Sequence, residues 1–182
     1  MNEGRGTGNE PDQAVASSVV VEYDPRWESD FAVLHAFLAE LLAGLPYRIE
    51  HVGSTAVPGL AAKPIIDLDI VVPAEHGVAG VTRMLAMAGF EPEGDLGVAG
   101  RSAFRPAPSL PYHHLYVVVE GSRALRDHLD FRDLLRRDPL ARAEYARVKF
   151  ELAGLLRDDR RAYTEGKGRV IERLLRRSQE PR

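Results

Sequence analysis

The chain has 182 residues, 45% apolar and 28% charged, a composition that buries a core and excludes a collagen, a coiled-coil rod or a disordered polymer. Cysteine is absent, which excludes a disulfide framework, a thiolate nucleophile, Cys-ligated zinc and an iron–sulfur cluster. The net charge of −3 hides a division, because residues 1–121 carry 7 Lys+Arg against 16 Asp+Glu while residues 122–182 carry 17 against 11.

Residues 1–18 read as a disordered leader, polar and Gly-rich, with too little apolar surface to offset the entropy of ordering. They lack the apolar stretch of a secretory signal, and no run in the chain approaches the ~20 apolar residues of a membrane helix. A cytoplasmic location without a membrane partner is therefore expected, with one domain over residues 19–178. Asp24-Pro25 supplies an N-cap and a proline for the first helical turn. Trp27, Phe31, Leu34, Leu38, Leu41 and Leu45 then recur at helical spacing until Gly44 and Pro46 stop the helix.

Tyr47–Val52 is a short strand candidate, followed by a loop with two glycines and two prolines up to Pro64. Ile65–Val72, IIDLDIVV, is the strongest strand signal, β-branched and short enough to be buried. Residues 75–88 read as a helix closed by Gly89. Phe90–Glu93, Arg101–Arg105 and Tyr112–Val119 read as further strands. After Gly121 the periodicity is helical: Leu125, Leu129, Leu134 and Leu135 fit one helix, Asp138-Pro139 opens a second, and Val170, Ile171, Leu174 and Leu175 mark a third. The fold class is α+β (mixed α/β), a small mixed sheet flanked by helices with a helical C-terminal segment.

Asp67 and Asp69 lie two apart on the strongest strand, so both leave it from one face while Ile66, Leu68, Ile70 and Val72 fill the other. Two carboxylates held this close disfavour double ionisation, and a hard divalent cation, Mg²⁺ or Mn²⁺, relieves that penalty. Gly53-Ser54 at the end of the preceding strand allows a tight turn that offers amides and a hydroxyl to an anion. Lys63 precedes the acidic strand and is placed to approach phosphate. The basic C-terminal part reads first as amphipathic helices with charged outer faces. A nucleic-acid partner is not expected, since aromatics do not interleave with the basic residues. Gly53 to Gly59 has Walker A spacing, but Leu60 and Ala61 stand where Lys and Ser/Thr are required. No Gly-x-Ser-x-Gly elbow and no His-Glu-x-x-His helix is present.

The order Gly-Ser, twelve residues, Asp-x-Asp is similar to the signature of the nucleotidyltransferase fold typified by DNA polymerase β. The longer segment His51-Val-Gly-Ser-Thr-Ala-Val-Pro-Gly-Leu-Ala-Ala-Lys63-Pro-Ile-Ile-Asp67 resembles the hallmark of the bacterial GrpB family. His113-His114-Leu-Tyr-Val, Phe131-Arg132-Asp133-Leu-Leu-Arg136, Tyr145 with Lys149, and Tyr163 with Lys167 agree with it. The resemblance spans about residues 19–176. It implies a metal-dependent nucleotidyltransferase moving an NMP group from ATP or another NTP to a small acceptor. Asp67 and Asp69 would hold the metal, and Gly53 and Ser54 the phosphates.

The superfamily's third carboxylate has no counterpart in Tyr112–Val119, where Glu120 stands only at the strand end. His113 or His114 would replace it as ligand or base. Alternation lets only one of them face the acidic site, and His114 is favoured as the catalytic one. His51, beside Gly53, is a further candidate. The chain has 21 Arg and only 3 Lys, and Lys63, Lys149 and Lys167 all fall in family-like segments, which marks them for phosphate binding. Arg101, Arg105 and Arg132 are weaker phosphate candidates. Two other readings stand beside transfer. One is a silent nucleotide-binding or helper module with a protein partner, related to domains fused to dephospho-CoA kinase. The other is a metal-dependent phosphohydrolase using His51, Asp67, Asp69 and His114.

Overall fold

The computed structural model describes residues 19–107 and 109–179; the leader expected over residues 1–18 lies outside them. In chain order the elements are α1 (Arg26–Leu41), β1 (Arg48–Val52), β2 (Ile66–Val72), α2 (Glu75–Met87), β3 (Glu91–Gly94), β4 (Arg101–Arg105) and β5 (His113–Val119). Four helical segments follow: α3 (Arg123–Arg137), α4 (Pro139–Leu152), the single turn α5 (Leu155–Asp158) and α6 (Arg160–Gln179). The five strands form one mixed sheet in the order β1-β2-β5-β4-β3. β2 and β5 run parallel and the other pairs antiparallel. The α+β class and the mixed sheet flanked by helices agree with the sequence reading.

Local chemistry explains the boundaries. Pro25, not the expected Asp24, is the N-cap residue of α1, with Asp24 Oδ1 just ahead of it accepting from the Arg26 amide at 2.9 Å, and Gly44, at φ +85°, turns the chain after the helix. Ser122 caps α3 through the Leu125 amide. Asp138 caps α4 through the amides of Leu140 and Ala141, with Pro139 next in the chain.

The sheet divides the apolar residues into layers. Ile66, Leu68, Ile70 and Val72 of β2 pack with Leu34, Leu38, Val81, Leu85, Leu115 and Val117, the core beneath α1 and α2. On the other face Val71 meets Val118, Ala124 and Leu125, which seats the start of α3. A third cluster joins Val57 and Leu60 of the β1–β2 loop to Leu134, Tyr145, Val170 and Leu174 of α3, α4 and α6. Full burial of each such aliphatic side chain stabilises by about 1.5–3 kcal/mol. A one-residue slip of β2 would turn both aspartates into the first core, so the apolar pattern fixes the register that builds the site. No helix among the described residues is long and apolar enough to cross a membrane.

Candidate active site

The β2–β5 register sets Asp67 opposite His114 and Asp69 opposite Tyr116, so both carboxylates and the His114 imidazole share the face overlaid by α3. His114 Nδ1 donates to Asp67 Oδ1 at 2.8 Å. His128, reaching across from α3, donates from Nδ1 to Asp69 Oδ2 at 2.8 Å. The two carboxylates are thus each balanced by a histidine. Asp69 is fully buried at 0% exposure, and its Oδ1 has no hydrogen-bond partner.

These surroundings move the carboxyl groups in opposite directions. Burial pushes Asp67 up, but the His114 hydrogen bond and the charges of His114, Lys167 and His128 outweigh it and hold the carboxyl below its usual range. At Asp69 burial dominates and raises the carboxyl against the pull of His128. Burial also works against the His128 cation, yet the bond to Asp69 and the charges of Asp69 and Asp67 raise its pKa. A raised histidine stabilises the fold fully below its unfolded value of about 6.5, and that contribution fades as pH climbs through the folded value. An NMR titration of the imidazoles should therefore place His128 above 6.5, and Asp69→Asn should bring it down. A wild-type value at or below 6.5 would contradict the pairing.

The β1–β2 loop is pressed against the acidic strand. Gly53 sits at φ +70°, and a Cβ on it would fall within 2.8 Å of Asp67 Cβ and Cγ, with Asp67 Oδ2 nearer still. Only glycine allows the loop this close. Two side chains from behind hold the loop. Arg136 of α3 donates from Nε and Nη2 to the Ala56 carbonyl at 2.9 and 2.7 Å. Lys149 of α4 donates to Ser54 Oγ at 3.1 Å and to the Ala61 carbonyl. Burial, then repulsion from Lys167, pushes the Lys149 ammonium down to about 7 despite the attraction of Asp67.

Between loop, sheet and C-terminal helices lies a cavity of about 360 Å³ whose lining includes Ser54, Asp67, His114 and Tyr116, with Lys63, Arg101, Lys149, Tyr163 and Lys167. Its cations are set on aromatic faces: Arg101 is 4.6 Å from the Tyr116 centroid, and Lys167 and Lys63 are 4.9 and 5.9 Å from that of Tyr163. Lys149 repeats the arrangement on Tyr145 at 4.5 Å. The cavity is concave and sets several cations around one carboxylate, an arrangement whose field attracts anions.

Other residues that the sequence singled out are employed elsewhere. Arg105, the last residue of β4, is paired with Glu91 and Glu93 of β3 and does not line the cavity. Arg132 is bonded to Glu50, Asp133 and the His51 carbonyl, which makes it a brace between α3 and β1 rather than a phosphate ligand. His51 stacks on Phe31 at 4.4 Å and bonds Thr55 Oγ1; burial pushes its pKa down to about 4. His113 points into the opposite core, bonded to the Pro111 carbonyl and packed on Phe90. Lys149 does line the cavity, and it also anchors the loop through Ser54 and the Ala61 carbonyl. Glu120 pairs with Arg48.

Sequence reasoning missed His128, Tyr116 and Arg136. The signal for His128 was slight, a histidine one place after Asp127 in an amphipathic helix. For the Tyr–Lys pairs it was present: Tyr145/Lys149 and Tyr163/Lys167 share the four-residue spacing that lays a side chain over its neighbour on a helix.

A divalent cation fits this donor set on one condition. Among the described residues no group of three or more His, Cys, Asp or Glu could hold a metal ion. Two carboxylates on one face, one with an unfilled buried oxygen, match a Mg²⁺ ion that keeps phosphate oxygens and water as its other ligands.

Residues 17–177 match the family described as GrpB protein. The chain belongs to the GrpB family. It is 33% identical over 153 residues to the UPF0157 protein YqkA of Bacillus subtilis, covering 84% of this chain and 45% of that protein. The chain thus spans under half the length of that relative. The crystal structure of the conserved protein GrpB from Enterococcus faecalis superposes with a TM-score of 0.74 at 30% identity, covering 89% of this chain and all of that one. A looser likeness, TM-score 0.46 and 12% identity over 76% of this chain and 49% of the other, is to the Cid1 poly(U) polymerase with MgGTP bound; at that level it carries no argument about the site.

Proposed function

We propose that this GrpB-family protein is a nucleotidyltransferase that moves an NMP group from ATP or another NTP to a small acceptor. The observation that carries the reading is the cavity itself. Asp67 and Ser54 lie in one lining with Lys63, Arg101 and Lys167, while Asp69 stands behind Asp67 on the same face of β2. The cations would take the triphosphate, and the loop at Gly53 and Ser54 would sit against its inner phosphate. Asp67 and Asp69 would hold a Mg²⁺ or Mn²⁺ ion brought in by the nucleotide, which supplies neutralisation of the charge that develops on the phosphates. His114, hydrogen-bonded to Asp67 at the cavity wall, takes the place of the missing third carboxylate and is positioned to accept the acceptor's proton.

A second reading, a nucleotide-binding helper without turnover, is favoured by one feature: Asp69 is completely buried and already paired with His128. The phosphohydrolase reading draws less support, because His51 stacks on Phe31, bonds Thr55 and is not in the cavity lining. Pyrophosphate release measured across a panel of hydroxyl and amine acceptors separates the first two. Transfer predicts acceptor-dependent release that Asp67→Asn lowers by about 10³-fold or more. Release at background for every acceptor, with nucleotide bound, would leave only the helper.

A further inference from the structure

The wall of the cavity holds a nucleophile arrangement that transfer to an external acceptor does not require. Ser54 Oγ lines the cavity and lies 3.1 Å from Lys149 Nζ, while the Tyr145 ring, one helical turn before Lys149, faces the same Nζ at 4.5 Å from its centroid. Lys149 is 2% exposed, and its other polar contact is the Ala61 carbonyl. As an ammonium Lys149 donates to both Ser54 Oγ and the Ala61 carbonyl; as a neutral amine it has two N–H groups and one lone pair, so that with one N–H kept for Ala61 the lone pair can turn to the Ser54 hydroxyl proton. Serine and lysine within hydrogen-bond reach, the lysine desolvated and facing another cation, form the general pattern of an activated hydroxyl. The ionisable groups facing Lys149 are Lys167 from α6, Asp67 from β2 and Tyr145 from its own helix. Of these Lys167 favours the neutral amine and Asp67 the ammonium, and burial decides for a value of about 7.

We propose that Ser54 is a covalent acceptor of the nucleotidyl group, with Lys149 as its general base. The proposal rests on the nucleotide reading above and deepens it by naming a hydroxyl of the protein itself as an acceptor. In the step, Ser54 Oγ attacks the α-phosphorus of a bound nucleoside triphosphate. The Oγ–P bond forms as the bond from the α-phosphorus to the α,β-bridging oxygen breaks. Pyrophosphate departs with that electron pair, and the hydroxyl proton passes to Lys149 Nζ. Lys63, Arg101 and Lys167 border the same cavity and oppose the charge on the departing group.

The test is intact-mass and peptide analysis of the full chain after incubation with MgATP and an acid quench, with MgATP binding measured on the same samples. The expected result is one adenylyl group on the peptide containing Ser54, absent in Ser54→Ala. Its formation should slow by about 100-fold or more in Lys149→Met, the size of a lost general base. In the wild type the rate should rise with pH and level off above about 7, a profile that needs no variant to fold. MgATP bound with no adduct, an adduct elsewhere, or an adduct rate flat in pH and unchanged in Lys149→Met would overturn the inference while leaving the nucleotide reading intact. Failure to bind MgATP at all would overturn both.

Discussion

His128→Leu is expected to cost about 3–5 kcal/mol of folding stability, the penalty for stranding a buried charge without its partner. Asp69 is fully buried, His128 provides its one hydrogen bond among the described residues, and its second oxygen has none. Folded domains are stable by only about 5–15 kcal/mol, so this change alone brings the chain near its limit. The loss has a pH signature. Without His128, burial raises Asp69 still further, and an acid with a raised folded pKa destabilises most above that value. Urea denaturation should therefore show the variant regaining stability as pH falls through the raised Asp69 value, the reverse of the trend expected from carboxylates held low. The double change Asp69→Leu with His128→Leu should recover most of the loss, since apolar replacements of similar volume are often neutral or stabilising. If the single variant unfolds at the wild-type urea concentration at every pH, the buried pair is not what holds α3 to β2.

Gly53→Ala is expected to cost about 2–4 kcal/mol and to abolish nucleotide binding. About 1–2 kcal/mol comes from forcing a Cβ into the left-handed region at φ +70°, and the rest from its overlap with Asp67. Gly59 provides the internal comparison. It sits in the same loop at φ +75°, but a Cβ there would have nothing within 4 Å, so Gly59→Ala should cost only the backbone part, about 1–2 kcal/mol, and leave binding intact. Chemical denaturation and nucleotide titration of the two variants side by side check this. Equal losses would mean that the approach of the loop to Asp67 is not specific.

Much of this arrangement was legible in the chain because it is local. The IIDLDIVV run states its strand, its two faces and the common side of Asp67 and Asp69 through alternation alone. The cap at Asp138 and the turn glycines 44 and 89 mark their own boundaries. Parity also separates His113 from His114, once β5 lies parallel to β2 in the register Asp67↔His114. What was not legible depends on packing between distant elements. His128 reaches Asp69 only because α3 crosses the sheet, and no spacing within α3 announces that. Arg105 and Arg132 carry the right charge for phosphate, but the acidic residues that take them, Glu91, Glu93 and Glu50, come from neighbouring strands. The short strand β3, with Pro92 at a register shift and every residue exposed, shows little apolar pattern to read. Lys149 does reach the cavity, but its contacts to Ser54 and the Ala61 carbonyl come from a loop that only the fold brings to it.

The most direct measurement is calorimetric titration of MgATP into the wild type and into the double variant Asp67→Asn with Asp69→Asn, after circular dichroism shows that both are folded. The wild type should bind one nucleotide in a Mg²⁺-dependent way, and the double variant should show no Mg²⁺-dependent binding. Equal affinity in the two proteins would remove the carboxylate pair from the site and contradict the assignment of this cavity to a metal–triphosphate.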